Sequence, residues 1–300
     1  MVQDSKVTEG RVDVPGGRVW YKIVGAGPGL PLVTVHGGPG ATHDYLEPLE
    51  ALAEDRPVVF YDQLGAGKSD APDDVELWTN DRLVDELERV LDATGLARVH
   101  LLGQSWGTMP AAEVALRAPG RLCSLILSDP VLSMPLFAAG AAALRAALPA
   151  EVREVLDRHE ASGTMDSEEY QEASMEFNRR YACRLDPWPE PLLRSFSQAN
   201  LAIYEHMQGP SEFMITGTHK DYDITGRLSE ITVPTLYICG RYGETRPEET
   251  TLYHSMTPGS ELEIFEESSH VPHLEEPERY LQVLRDFLQR AEQVASKNES

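Results

Sequence analysis

Gly103-Gln104-Ser105-Trp106-Gly107 is the segment best equipped for chemistry. A serine stands between two glycines, after the apolar run Val99–Leu102 and before a helix-like stretch that reaches about Ala118. That order is the one a nucleophilic serine needs: strand, sharp strained turn, helix. The turn lifts the hydroxyl clear of the sheet, and the glycines allow backbones to approach closely. The N-terminus of the following helix favours the negative charge that develops when a serine attacks a carbonyl. Ser105 is thus the candidate nucleophile. The same geometry calls for two backbone donors to the oxyanion: the N–H of Trp106, directly after the serine, and one from the glycine-rich loop His36-Gly37-Gly38-Pro39-Gly40. Gly38 is the expected donor, with Gly37 beside it facing the substrate.

Other glycine clusters carry less. Gly25-Ala26-Gly27-Pro28-Gly29 lacks dinucleotide spacing. Gly65-Ala66-Gly67-Lys68-Ser69 ends like a phosphate loop, but Asp62 stands where its first glycine is required. Both read as structural turns. The three cysteines (Cys123, Cys183, Cys239) are too few and odd in number for a disulfide framework, and no CxxC or HExxH offers a metal site. A reducing cytoplasm fits, and the expected chemistry requires neither metal nor organic cofactor. With 49 acidic against 26 basic residues the formal charge is −23. That argues against nucleic acid, whose phosphates need clustered cations, and against an anionic membrane surface. No run of about 18 apolar residues, the length a bilayer span needs, is present. The polar start MVQDSKVTEG does not read as a signal peptide, and the tail ASKNES reads as frayed.

The elements that must position these residues alternate. Val7–Val14 and Arg18–Val24 flank a Pro-Gly-Gly turn and read as a hairpin. Leu32–Val35, Pro57–Tyr61, Val99–Leu102 and Leu122–Leu127 read as strands, with helical spacing at Leu83, Val84, Leu87, Val90 and Leu91 between them. This is βαβα order, implying a doubly wound, mostly parallel sheet with helices on both faces. From Ser133 to about Tyr222 the chain is rich in Ala, Leu, Glu and Arg and shows no strand, so 133–222 reads as a helical cap inserted between core segments 1–132 and 223–300. Alternation resumes with Pro234–Cys239, the helical Glu248–Met256, Leu262–Phe265 and an amphipathic helix at Tyr280–Leu288.

HGGPG (36–40), YDQLGAGKSD (61–70), GQSWG (103–107), Gly209-Pro210-Ser211-Glu212-Phe213, CGRYGETRPE (239–248) and SSHVPHLEEPERY (268–280) together resemble the α/β-hydrolase proline iminopeptidases. That group also takes in the tricorn-associated aminopeptidases and amino-acid amidases. The resemblance runs from about residue 10 to 290. It implies an α/β-hydrolase fold and a serine hydrolase that removes an N-terminal residue from a small peptide, amino-acid amide or ester. It implies His270, on the loop after the last strand, as the general base, and Glu212 and Glu244 as carboxylates that grip the substrate's free α-ammonium. Phe137, Tyr181, Trp188, Tyr204 and Phe213 are candidates for an apolar pocket or for cap core.

One position breaks the pattern. Where the family carries its catalytic aspartate, this loop reads Gly240-Arg241-Tyr242-Gly243-Glu244. A glycine can neither orient an imidazole nor stabilise its protonated form. Four readings stay open: Asp129, at the end of the preceding strand, supplies the acid; Glu244 swings into the role; the enzyme runs as a weakened Ser–His dyad, natural or engineered; or the chain binds amines without hydrolysis. Asp129 could equally cap the turn into the helical insertion. An ester or lactone hydrolase that ignores the amine is the other enzymatic alternative. The nucleophile helix also carries Thr108 where the family has a second glycine, which would narrow the space beside Ser105 if the side chain faced the pocket.

Overall fold

A computed structural model describes residues 6–298, so part of the polar start and the last residues of the tail lie outside the described residues. Its centre is one eight-stranded sheet in the order β1-β2-β4-β3-β5-β6-β7-β8. The strands are β1 (Val7–Val14), β2 (Gly17–Val24), β3 (Leu32–Val35), β4 (Val58–Tyr61), β5 (Val99–Gln104), β6 (Leu122–Ser128), β7 (Thr235–Gly240) and β8 (Glu261–Phe265). The hairpin β1–β2 is antiparallel and β2 pairs antiparallel with β4; every pairing from β4 to β8 is parallel. Strands β3, β4, β5, β6 and β7 are buried along their whole length. That is why they read as unbroken apolar runs rather than as alternating patterns.

The helices follow the alternation: α1 (Asn80–Ala93), α2 (Thr108–Arg117), α3 (Met134–Ala146), α4 (Ala150–Ser162), α5 (Glu168–Tyr181), α6 (Glu190–Ser197), α7 (Leu201–Met207), α8 (Pro247–Met256), α9 (Pro272–Glu275) and α10 (Pro277–Asn298). The last is much longer than its amphipathic stretch Tyr280–Leu288 suggested. A 3-10 segment, His43–Leu52, fills the β3–β4 crossover; interrupted by Pro48, it offers no helical signature to read. Among the described residues no helix is long and apolar enough to cross a membrane.

Helices α3 to α7 form one insertion between β6 and β7. Its two ends meet: Met134 N–H donates to Tyr222 O (2.8 Å) and Ile224 N–H to Leu132 O (3.0 Å). The insertion has a small core of its own around Leu148, Leu156, Tyr170, Ala173 and Phe177. It is fastened to the rest by Arg194 on Asp44 and Glu47, and by Asn200, whose amide reaches Gly65 O (2.9 Å) and whose N–H reaches Gly40 O (2.8 Å). His43, Asp44 and Glu47 lie together in the manner of metal ligands, but their partners are protein groups: Asp62 on His43 (2.7 Å), Arg194 on both carboxylates. The two weaker glycine clusters are turns. A side chain on Gly25 would run into Ala53 O, and one on Gly67 into the Asp62 carboxylate that anchors Lys68 N–H (2.9 Å).

Candidate active site

All the chemistry-bearing loops leave the sheet at the carboxyl ends of neighbouring parallel strands, where open α/β sheets hold their ligands. Ser105 follows β5 with φ +56°, a conformation a non-glycine residue holds only when its surroundings impose it. What imposes it is the closeness of β5, α2 and β3. A Cβ on Gly107 would stand 2.3 Å from Val35 O.

Ser105 Oγ meets His270 Nε2 at 2.8 Å. His270 is buried, and burial pushes its imidazole down to about 3. It is therefore neutral at rest and able to accept a proton. Its backbone is held from two sides. Gln104 Nε2 donates to His270 O (2.9 Å), while Gln104 Oε1 accepts from the Tyr45 phenol (2.6 Å). Glu275 accepts from Ser269 N–H (2.7 Å) and the Ser269 hydroxyl (2.8 Å). His273, nearby in sequence, donates instead to Tyr45 O (3.0 Å).

Behind His270 stands Asp129, fully buried at the end of β6 with φ +48°. Its Oδ1 is 3.9 Å from His270 Nδ1, which has no hydrogen-bond partner of its own. This is too long for a hydrogen bond; catalytic contacts of this kind often tighten only when substrate is bound. The carboxylate accepts from Gly240 N–H (3.2 Å) and lies near the Ser128 and Thr245 hydroxyls. Burial nevertheless holds Asp129 well above the usual carboxylate range. It does not cap the insertion: Ser133 does that for α3, accepting from Leu136 N–H. A Cβ on Gly243 would lie 3.3 Å from Asp129 Oδ1. The glycine and the aspartate thus share the space in front of one imidazole edge.

Glu244 is also beside His270, but on the other nitrogen: its Oε1 is 3.2 Å from Nε2. A carboxylate there would draw the ring proton to Nε2, the wrong tautomer for accepting the Ser105 proton. Glu244 therefore does not fill the orienting role that the sequence left open for it. Burial, then Glu212 and Asp129 nearby, hold it well above its ordinary value. Glu212 comes from the loop after α7; burial raises it too, and the neighbouring Tyr204 hydroxyl opposes this in part.

Ser105, His270, Glu212, Glu244, Gly37 and Gly38 all line one cavity of about 340 Å³ beneath the helical insertion. Tyr204 and Phe213 line it as well. Phe137, Tyr181 and Trp188 do not; they pack in hydrophobic clusters. Gly37 N–H is taken by the Tyr45 phenol (2.7 Å), which leaves Gly38, at φ +123°, as the loop's free candidate donor. Trp106 is fixed by its indole N–H, which donates to His219 Nδ1 at 2.9 Å; burial keeps that histidine neutral, near 4. Thr108 corrects an expectation. Its side chain does not face the cavity: the hydroxyl donates to Ser105 O (2.6 Å) and accepts from Val131 N–H (2.9 Å), tying the nucleophile turn to the Asp129 loop. His219 stood in no motif; Gln104 and Glu275 stood inside quoted motifs, but the residues they hold, His270 O and Ser269, could be paired with them only by the fold.

A family profile described as the alpha/beta hydrolase fold matches residues 31–277. A proline iminopeptidase of Heyndrickxia coagulans is 47% identical over 283 residues, covering 94% of this chain and 98% of the relative. The chain belongs to the proline iminopeptidase family of α/β hydrolases. One of Saccharolobus solfataricus is 39% identical, covering 97% and 94%. Among solved structures, VinJ superposes with a TM-score of 0.92 at 39% identity, covering 95% of this chain and 99% of its own. The proline iminopeptidase of Mycobacterium smegmatis gives 0.89 at 38%, covering 96% and 100%. The family is one of serine hydrolases, and this chain is an enzyme of that kind.

Proposed function

We propose that the enzyme hydrolyses the bond after an N-terminal aminoacyl group in a small peptide, amino-acid amide or ester, with Ser105, His270 and Asp129 as its triad. The observation that carries this is the 2.8 Å contact between Ser105 Oγ and His270 Nε2 in a cavity that also holds two carboxylates and no Lys or Arg. His270 takes the serine proton as Oγ attacks the carbonyl carbon. The oxyanion is received by N–H groups of Gly38 and Trp106. His270 then protonates the leaving amine or alcohol, and water, activated by the same imidazole, releases the acid.

Asp129 is the carboxylate on the Nδ1 side. It stabilises the imidazolium as that charge forms, and Gly243 leaves it room. Glu212 and Glu244 hold the substrate's α-ammonium, whose charge compensates two carboxylates that burial otherwise disfavours. The Ser–His contact argues against a protein that merely binds amines. The names of the relatives make N-terminal proline the first residue to try. Three buried free cysteines fit a reducing compartment such as the cytoplasm.

The test is a panel of aminoacyl anilides and esters with free and acylated α-amines. A clear preference for free amines is expected, and Glu212→Gln should narrow it. A preference for blocked substrates would point instead to an ester or lactone hydrolase and would overturn the proposal.

A further inference from the structure

Three loops must keep their spacing for acyl transfer at Ser105: the glycine loop after β3, the nucleophile turn after β5 and the loop after β8 that carries His270. Strands β6 and β7 stand between β5 and β8, so sheet hydrogen bonds do not tie the nucleophile's strand to that of the base. Two side chains bridge the gap. Gly37 N–H donates to the Tyr45 phenol oxygen (2.7 Å), the phenol donates to Gln104 Oε1 (2.6 Å), and Gln104 Nε2 donates to His270 O (2.9 Å).

Each proton has one place to go. The phenol oxygen accepts from Gly37, so its own proton goes to Gln104, and that choice leaves the amide N–H for His270. The three bonds therefore run in one direction, from the oxyanion loop, through the residue before the nucleophile, to the base. Both side chains are buried, where such a chain of bonds is stronger than at the surface. Its first end is already pressed on the nucleophile: a Cβ on Gly37 would stand 2.9 Å from Ser105 Cβ. Tyr45 is anchored in turn by its own carbonyl, which accepts from His273 Nε2 (3.0 Å).

We propose that Tyr45 and Gln104 are positioning residues that act as one unit, a relay that holds the oxyanion loop and His270 at a fixed separation around Ser105. The proposal rests on the reading of Ser105 and His270 as nucleophile and base, and is independent of the ammonium site.

The experiment measures kcat and KM on a p-nitrophenyl ester without an amine, for Tyr45→Phe, Gln104→Met and the double variant. Each single variant should lower kcat at least about tenfold, the scale of a small misplacement of reacting groups, with KM within about twofold of wild type. The double variant should lose far less than the product of the two single losses, since the second break falls on a relay already open. A single variant within about twofold of wild-type kcat, or a double loss equal to that product, overturns the relay.

Gln104→Glu gives a readout that packing alone would not move, and it does not depend on Tyr45→Phe folding. A protonated carboxyl accepts from Tyr45 and donates to His270 O as the amide does, whereas an ionised one can only accept. The titratable groups around it are Tyr45, Tyr280 and Asp129, with His270 and His273, which burial holds down to about 3 and about 4. Neither imidazole therefore changes charge between pH 5 and pH 8. At pH 5 Gln104→Glu should turn over at least about fivefold faster than Gln104→Met, and at pH 8 that advantage should be gone. No advantage at pH 5 overturns the relay. Ser105→Ala should be inactive on the same ester; turnover there would overturn the reading of the nucleophile, and the relay with it.

Discussion

Asp129→Asn keeps the side chain's shape and removes its charge, and its cost can be worked from one distance. Asp129 Oδ1 lies 3.9 Å from His270 Nδ1. At an effective dielectric of about 20, opposite unit charges so placed interact by about 4 kcal/mol, an upper bound here because burial holds Asp129 well above the usual carboxylate range. The resting imidazole is neutral, with burial pushing it down to about 3. The interaction therefore falls almost wholly on the transition state, where the imidazolium exists. A barrier higher by about 4 kcal/mol slows kcat about a thousandfold. Steady-state kinetics on an aminoacyl anilide should show that loss with KM changed only a few-fold, since Asp129 does not line the cavity. Asparagine still offers an oxygen to Gly240 N–H, so the thermal midpoint should hold. Asp129→Asn combined with Gly243→Asp returns a carboxylate from the adjacent strand end, on a Cβ 3.3 Å from where Asp129 Oδ1 stood, and should recover kcat to within about tenfold of wild type. Gly243→Asp alone forces two carboxylates into contact, where one must hold a proton, and should give no gain. The reasoning is refuted if Asp129→Asn retains activity within a few-fold of wild type, or if Gly243→Asp alone markedly raises kcat.

Two further outcomes follow from the same contacts. Thr108→Val strips the acceptor from the buried Val131 N–H and should lower unfolding free energy by about 1–3 kcal/mol in a urea titration, with a fall in kcat as the Asp129 loop loosens; an unchanged midpoint would mean that Val131 finds another partner. Burial and mutual repulsion hold Glu244 well above its usual range and burial raises Glu212, so both bind protons in the empty enzyme at pH values where a free carboxylate would not. A bound ammonium favours their ionised forms, so binding must release protons and tighten as pH rises above about 4.5, up to the pH where the amine itself is neutral. Calorimetry of L-prolinol binding at pH 6 in buffers of different ionisation enthalpy should report proton release; uptake, or no exchange, counts against the ammonium site.

The strand–turn–helix around the candidate nucleophile was legible because everything it needs is local: two glycines, a strand before and a helix after. The parallel strands were legible because burial on both faces makes them continuous apolar runs. The acid was legible only as a set of alternatives. Asp129 and Gly243 are more than a hundred residues apart, and their meeting depends on β6 pairing with β7. Glu244 lines the cavity with Ser105 and His270, but which imidazole nitrogen it faces depends on a side-chain direction that spacing cannot encode. Thr108 misled for a related reason. An extra side chain beside the nucleophile reads as an obstruction, whereas its hydroxyl turns inward to a backbone N–H. The insertion's aromatics show the limit of composition: Tyr204 and Phe213 face the cavity while Phe137 is core, and nothing in residue type separates them.

The acid-rich cavity also bears on how the proposed reaction would end. Cleavage turns an uncharged carbonyl into a carboxylate within reach of His270, on whose Nε2 Glu244 already sits at 3.2 Å. The ammonium that anchored the substrate is then joined, one carbon away, by a charge of the same sign as the cavity wall. Hydrolysis thus converts a cation into a zwitterion and weakens its own product's hold. Free amino acids should accordingly be poor inhibitors, whereas the matching amino alcohols, which keep the ammonium without gaining the carboxylate, should stay bound.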